Sequence, residues 1–288
     1  MREWVLAARP KTLPAAVVPV WVGCVLAYAG AGVFDAALAI CTVASAMAIQ
    51  VATNFFNDAL DFQKGADTAA RVGPRRITAG GGASARGVLW AGVVVLVIAV
   101  ALSVPMVLAR GWVVVAIGVP SLYFSYGYTG GPVPLAYRGL GELFVVLFFG
   151  LIAVTGTVFI QTGEWMIEAV VLGGQVGALS TVLIAVNNLR DVEEDCGSGK
   201  RTLAVRFGVG FGRAEIVVLC LVPHLLGVFW LVGGDGGAFW WPLGTVLLGG
   251  VISLGVVRNP PGAVYNRYLA LGGGQMVLFA ILYTVGLL

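Results

Sequence analysis

Charged residues cut the 288-residue chain into nine long uncharged runs: 12–34, 36–57, 88–109, 111–137, 143–163, 169–189, 216–234, 236–257 and 268–288. Wound as a helix, each is about long enough to cross ~30 Å of hydrocarbon. Only 11% of residues are charged, 59% are apolar, and the mean hydropathy is +0.96. A soluble domain needs more charge than this to cover its surface. The pattern predicts an all-α integral membrane protein of about nine transmembrane helices, one membrane domain spanning 1–288. The length of the runs and their lack of alternation exclude a β-barrel.

Orientation follows from lysine and arginine. With nine spans, segments 1–11, 58–87, 138–142, 190–215 and 258–267 lie on one side, and they hold every one of the 17 basic residues except Arg110. That side is predicted to be cytoplasmic, with the N-terminus inside and the C-terminus outside. The start, M-R-E-W-V-L-A-A-R-P-K-T-L-P, has too short an apolar piece for a cleaved signal and reads as an interfacial lead-in with Trp4 at headgroup level. Pro14 and Pro19 are expected to bend the first helix. Cys24, Cys41, Cys196 and Cys220 are scattered without a C-x-x-C, so cysteine-based metal or disulfide chemistry is not expected. The net charge of +3 is spread over loops and gives no nucleic-acid signal.

Two polar clusters interrupt this apolar background. The first, N-F-F-N-D-A-L-D-F-Q-K-G-A-D from Asn54 to Asp67, ends the second run. On a helix Asn54, Asp58 and Asp61 share one face within roughly 60° of arc. The second cluster ends the sixth run, with Asn187, Asp191 and Asp195 at i, i+4 and i+8, followed by C-G-S-G-K-R-T-L. Each cluster is Asn, Asp, Asp, then a Gly–Lys element and a threonine-containing loop. They lie four spans apart, so both face the same side, as a parallel duplication would place them. The segment 62–87, too long for a simple connector, mixes arginines with glycines and is suited to closing over an anion. A single aspartate at a helix end would be a solvated terminus, and lone basic residues such as Arg2, Arg86, Arg213, Arg258 and Arg267 need no role beyond topology. The repeated one-face arrangement is different, because acids at a membrane helix end are costly unless they bind something.

Carboxylates joined by Lys and Arg, with no His or Cys, form a hard oxygen ligand set that selects Mg²⁺, with Mn²⁺ also suited. Mg²⁺ takes one or two protein carboxylates and completes its shell with phosphate oxygens and water. The two clusters therefore point to a metal-bridged diphosphate, and the lipid bilayer supplies the rest of the substrate as an apolar chain. An allylic diphosphate leaves once its charge is neutralised, and an apolar helical pocket shields the remaining cation from water. This is the chemistry of prenyl transfer. A membrane transporter is the competing reading, but its sites belong near the bilayer midplane, and these clusters lie at span ends.

Four strings carry a resemblance: A-R-P-K-T-L-P near the N-terminus; N-x-x-N-D-x-x-D-x-x-x-G-x-D-x-x-x-R-x-G-P-x-R over 54–76; Y-T-G-G-P-x-P-x-x-Y-R-G-L-G-E over 128–142; and N-N-L-R-D-x-x-x-D-x-x-x-G-K-R-T-L-A-V-R-x-G over 187–208. Together they resemble the UbiA superfamily of intramembrane prenyltransferases, with a spelling most similar to its 1,4-dihydroxy-2-naphthoate polyprenyltransferase branch. The resemblance implies a UbiA-like helical bundle acting on polyprenyl diphosphate and an aromatic acid, with demethylmenaquinol formed on the way to menaquinone. It leaves 4-hydroxybenzoate or homogentisate as alternative acceptors. It further implies that Asp58, Asp61, Asp191 and Asp195 are catalytic through Mg²⁺, with Asp67 an additional metal ligand. Asn54, Lys64, Arg71, Asn187, Lys200 and Arg201 become candidate diphosphate partners. Other branches carry a Lys–Arg pair after the fourth helix. Here Tyr126 and Gly127 stand there, which makes Arg138, with Tyr126, the candidate contact for the acceptor.

Overall fold

The computed structural model describes residues 2–67, 72–74 and 76–288. Among these residues there is no strand; the chain is a bundle of antiparallel helices. Eight are long and apolar enough to cross a membrane: α1 (Pro14–Ala31), α2 (Ala36–Gln63), α3 (Ala85–Arg110), α5 (Gly141–Thr162), α6 (Ile167–Arg190), α7 (Leu203–Gly233), α8 (Gly236–Arg258) and α9 (Tyr265–Leu287). Between α3 and α5 lies α4 (Trp112–Gly127), apolar but only 16 residues long. At 1.5 Å per residue it covers about 24 Å, short of a full hydrocarbon core. The run 111–137 does not continue as one helix because Gly130, Gly131, Pro132 and Pro134 follow in close order, and proline removes the donor a helix needs. The architecture is that of a multi-pass membrane protein.

Helix ends are set locally. The side chains of Asp35, Ser84 and Thr202 accept from the N–H groups of Leu38, Gly87 and Val205 and so cap α2, α3 and α7. Pro14 is the first residue of α1, where its missing N–H costs nothing, so it starts the helix rather than bending it; Pro19 lies inside. Arg110, at the C-terminal end of α3, donates to the carbonyls of Phe159, Ile160 and Gln161. It thereby closes the C-terminal end of α5, where backbone acceptors and the helix dipole favour a cation.

Polarity runs from inside to outside. Leu108, Trp112, Leu247 and Val232 are at least three-quarters exposed, whereas Gln161, Gln175, Asp58 and Asp61 are fully buried. The lipid-facing surface is apolar, and buried Gln161, Gln175, Asp58 and Asp61 pair with other side chains or with backbone. Helix α6 is the most buried span and packs against α5, α7 and α9. Its contact with α5 is made by glycines. A Cβ on Gly150 would sit 2.4 Å from both the Gly173 carbonyl oxygen and the Gly177 Cα, so the two backbones approach as closely as small residues allow. Gly150 falls within a π-helical segment, Val146–Ile152, which re-aims Phe148 and Phe149. His224, mid-span in α7, lies 3.5 Å from Thr245 Oγ1, a packing position.

Candidate active site

Both clusters fall at one end of the bundle, together with the N-terminal segment and the loop between α4 and α5. Residues 57–61 form the last turns of α2, and residues 187–191 end α6. The centre of the arrangement is Asp61, fully buried. Tyr137 donates its hydroxyl to Asp61 Oδ1 at 2.9 Å, and Lys200 Nζ donates to Asp61 Oδ2 at 2.8 Å. Lys200 Nζ also lies 3.8 Å from Asp195 Oδ1, so one ammonium spans carboxylates of the two motifs. Two lysines lie against the Tyr137 ring, with Lys64 Nζ at 4.1 Å and Lys200 Nζ at 5.3 Å from its centre. Lys64 also donates to the Thr129 carbonyl. Burial, opposed by Asp61 and helped by the Lys200 charge, lowers the Lys64 pKa from its usual value. Burial and the Asp61 charge hold the Tyr137 hydroxyl protonated well above the usual phenol range, so it serves as a donor.

Asp191 lies one turn before Asp195, whose N–H bonds the Asp191 carbonyl at 2.8 Å. The neighbouring Arg190 holds both Asp191 oxygens, at 2.6 and 2.7 Å, and reaches Asn187 Oδ1 and Asn266 Oδ1 at 2.7 Å each. Planar guanidinium geometry suits such a fork. On the first motif, Asn57 accepts from Arg9 and from Arg76 Nη2, and Arg76 Nε donates to Asp67 Oδ2 at 3.0 Å. Arg9 has φ 52, the one left-handed non-glycine backbone among the described residues. Such a conformation persists where surrounding contacts demand it, and here its side chain meets Asn57. Glu194 accepts from the Val72 N–H at 2.7 Å, so the 64–84 loop reaches across to the second motif.

Several expected residues lie elsewhere. Asp58, fully buried, accepts from the N–H groups of Ile77 and Thr78 at 3.2 and 3.1 Å and from the Thr78 hydroxyl. Its carboxylate is bonded to the glycine-rich loop, whereas Lys200 bonds Asp61. Asn54 donates to Ala8 O and Thr12 Oγ1, holding the N-terminal segment, because it sits almost a full turn before Asn57. Arg138 and Arg201 are exposed, and each presents its backbone carbonyl to Arg206. Tyr126 is 40% exposed, with its ring edge-on to Phe56. Arg71 lies outside the described residues. Sequence reading passed over Asn57, Arg9, Arg76, Tyr137 and Arg190. The signal for Asn57 was available, since Asn57–Asp61 repeats the i, i+4 spacing of Asn187–Asp191. Arg9 and Tyr137 fall inside strings already singled out, but their side-chain directions depend on loop geometry.

Beneath the cluster lies an elongated cavity of about 440 Å³ between α1, α2, α3, α4 and α5. Its walls on α2 run from Thr42 to Thr53, roughly 16 Å of helix. Thr53 stands one turn before Asn57, and Tyr128 closes the same end beside the carboxylates. The remaining walls are almost wholly apolar, with Phe144, Phe148 and Phe149 on one side. Val100, Val104, Val115 and Val119 line it and are 45–59% exposed at the surface that meets lipid.

A polar cluster of paired carboxylates and cations, together with an apolar chamber in the same membrane bundle, marks a membrane-embedded enzyme. Residues 16–263 match the UbiA prenyltransferase family, and the chain belongs to that family. It is 40% identical over 210 residues to a 1,4-dihydroxy-2-naphthoate octaprenyltransferase of Mycobacterium tuberculosis, covering 72% of this chain and 70% of that one. It is 34% identical over 233 residues to the protein of the same name in Haemophilus influenzae, covering 78% and 75%. Among solved structures, a UbiA homologue from Archaeoglobus fulgidus bound to GPP and Mg²⁺ superposes with a TM-score of 0.64 over 99% of both chains at 14% identity, a likeness of fold.

Proposed function

We propose that this chain transfers a polyprenyl group from polyprenyl diphosphate to 1,4-dihydroxy-2-naphthoate, releasing diphosphate and CO₂ and giving demethylmenaquinol for menaquinone synthesis. The observation that carries the reaction class is Lys200 spanning Asp61 and Asp195 in a bundle whose apolar cavity is lined by Tyr128, a neighbour of those carboxylates. The acceptor rests on the names of the relatives at 34–40% identity. We extend the family assignment to a single domain over 1–288, with the site facing the cytoplasm and the N-terminus inside, on the strength of the one-sided distribution of basic residues.

Whether the residues suit a divalent ion is answered by their spacing. Among the described residues no three Asp, Glu, His or Cys side chains are gathered closely enough to hold an ion by themselves. Asp61 and Asp195 do converge on one cation position, the place Lys200 Nζ takes. Two carboxylates, with phosphate and water completing the shell, suit Mg²⁺ or Mn²⁺ delivered with a diphosphate. In this reading Asp61 and Asp195 hold the metal, Asp191 stays in the Arg190 fork beside it, and Asp67 and Arg76 order the loop above. Bound Mg²⁺ supplies charge neutralisation of the leaving diphosphate. Lys64 and Lys200 take its remaining oxygens, and Asn187 holds the Arg190 fork. Asp58 positions the loop. The phenylalanine-lined cavity takes the chain and excludes water from the allylic carbon, and its lipid-facing wall lets a long tail continue into the bilayer.

Purified protein given a polyprenyl diphosphate and a panel of aromatic acids tests this. Diphosphate and CO₂ should appear together with the dihydroxynaphthoate, and excess chelator should stop both. Faster turnover with 4-hydroxybenzoate or homogentisate would reassign the acceptor, and full turnover in chelator would refute the metal.

A further inference from the structure

Lys200 occupies a position that a structural lysine has no need to occupy. Its ammonium is 2.8 Å from Asp61 Oδ2 and 3.8 Å from Asp195 Oδ1, and the side chain is only 12% exposed. Its backbone is fixed nearby, because the Lys200 N–H donates to the Asp195 carbonyl at 3.0 Å in the turn that follows the second motif. The four-carbon stem lets the ammonium move while that turn stays in place. Lys64, over the same Tyr137 ring, is bonded to the Thr129 carbonyl. The two lysines thus share one ring, but Lys200 alone of the pair has a hydrogen bond to a carboxylate.

We propose that Lys200 is a resident cation of this site: its ammonium joins the carboxylates of the two aspartate motifs until metal and diphosphate arrive, and then transfers to the diphosphate. The inference rests on the metal–diphosphate reading above. Two carboxylates brought together from distant parts of the chain repel each other unless a cation lies between them. A tethered ammonium supplies that cation at a high effective concentration, so a metal ion entering alone competes with it. A diphosphate offers the displaced ammonium a new partner. Metal and diphosphate therefore bind with positive mutual coupling, and the same coupling acts in both directions. The bilayer-embedded enzyme would then resist taking up metal in the absence of lipid diphosphate.

The test is protein-bound Mn²⁺ by equilibrium dialysis of the full chain in micelles, at matched free Mn²⁺, with and without inorganic pyrophosphate. Wild type is expected to bind Mn²⁺ weakly alone and about tenfold or more tightly with pyrophosphate. Lys200→Met should bind Mn²⁺ alone about tenfold more tightly than wild type, with the effect of pyrophosphate reduced. Lys64→Met removes an equal charge from the same ring and, without pyrophosphate, should shift Mn²⁺ binding less than about threefold. If Lys200→Met does not insert and fold, Lys200→Gln gives the same readout with a polar side chain. Unchanged or weaker Mn²⁺ binding in the folded Lys200 variant overturns the inference, as does an equal gain in Lys64→Met. Absence of Mn²⁺ binding by wild type even with pyrophosphate would instead overturn the metal reading on which it stands.

Discussion

Replacing Asp58 by Asn separates two roles that a buried carboxylate in this motif can have. In the structure Oδ1 accepts from the Thr78 N–H and hydroxyl, while Oδ2 accepts from the Ile77 N–H at 3.2 Å. Asparagine keeps one oxygen. If that oxygen stays with Thr78, the new amide NH₂ faces the Ile77 N–H, donor against donor. One hydrogen bond to a charged acceptor is lost, worth about 1.5–3 kcal/mol, and a buried donor is left unpaired. A local destabilisation of about 3 kcal/mol follows, roughly two decades in an opening equilibrium. Hydrogen exchange of the Ile77 and Thr78 amides in micelles reads that change directly, since exchange reports local opening. Turnover measured in parallel should fall together with protection. Unaltered exchange with abolished turnover would refute the reasoning, because Asp58 would then act through its charge on the diphosphate complex. Unaltered exchange and unaltered turnover would remove it from both roles.

Asp61→Asn should leave insertion intact and lower turnover by about 10² or more, because Tyr137 and Lys200 are arranged around its charge; activity within a few-fold of wild type would take Asp61 out of the site. Gly150→Ala forces a Cβ to 2.4 Å from backbone of α6 and should cost about 1–3 kcal/mol. Its thermal midpoint in detergent should fall well below that of Gly118→Ala, whose Cβ meets nothing within 4 Å; equal midpoints would contradict the close α5–α6 approach. Arg138→Gln should leave the KM values of both substrates near wild type, because the side chain is exposed; a selective rise for the aromatic acid would restore Arg138 as its partner.

The uncharged runs determined the helical membrane class, because each span must satisfy its own backbone in hydrocarbon, and only long apolar helices do so. The aspartates were legible for a related reason: carboxylates at span ends are too costly to be incidental, and their i, i+3 and i, i+4 spacings put each pair on one face. Helix length was less legible. The run 111–137 is uncharged throughout, yet α4 stops at Gly127, since charge marks where a span cannot continue and glycine and proline mark where a helix cannot. What the tertiary structure decided was the pairing. Asp58 and Asp61 are three residues apart on one helix, and nothing in their spacing says that the first holds a loop while the second meets Tyr137 and Lys200. The partners of Asp61 come from loops that follow α4 and α6, and those of Asn57 from Arg9 and Arg76. Local sequence fixes which way a side chain leaves its helix; the packing of distant helices fixes what it meets there.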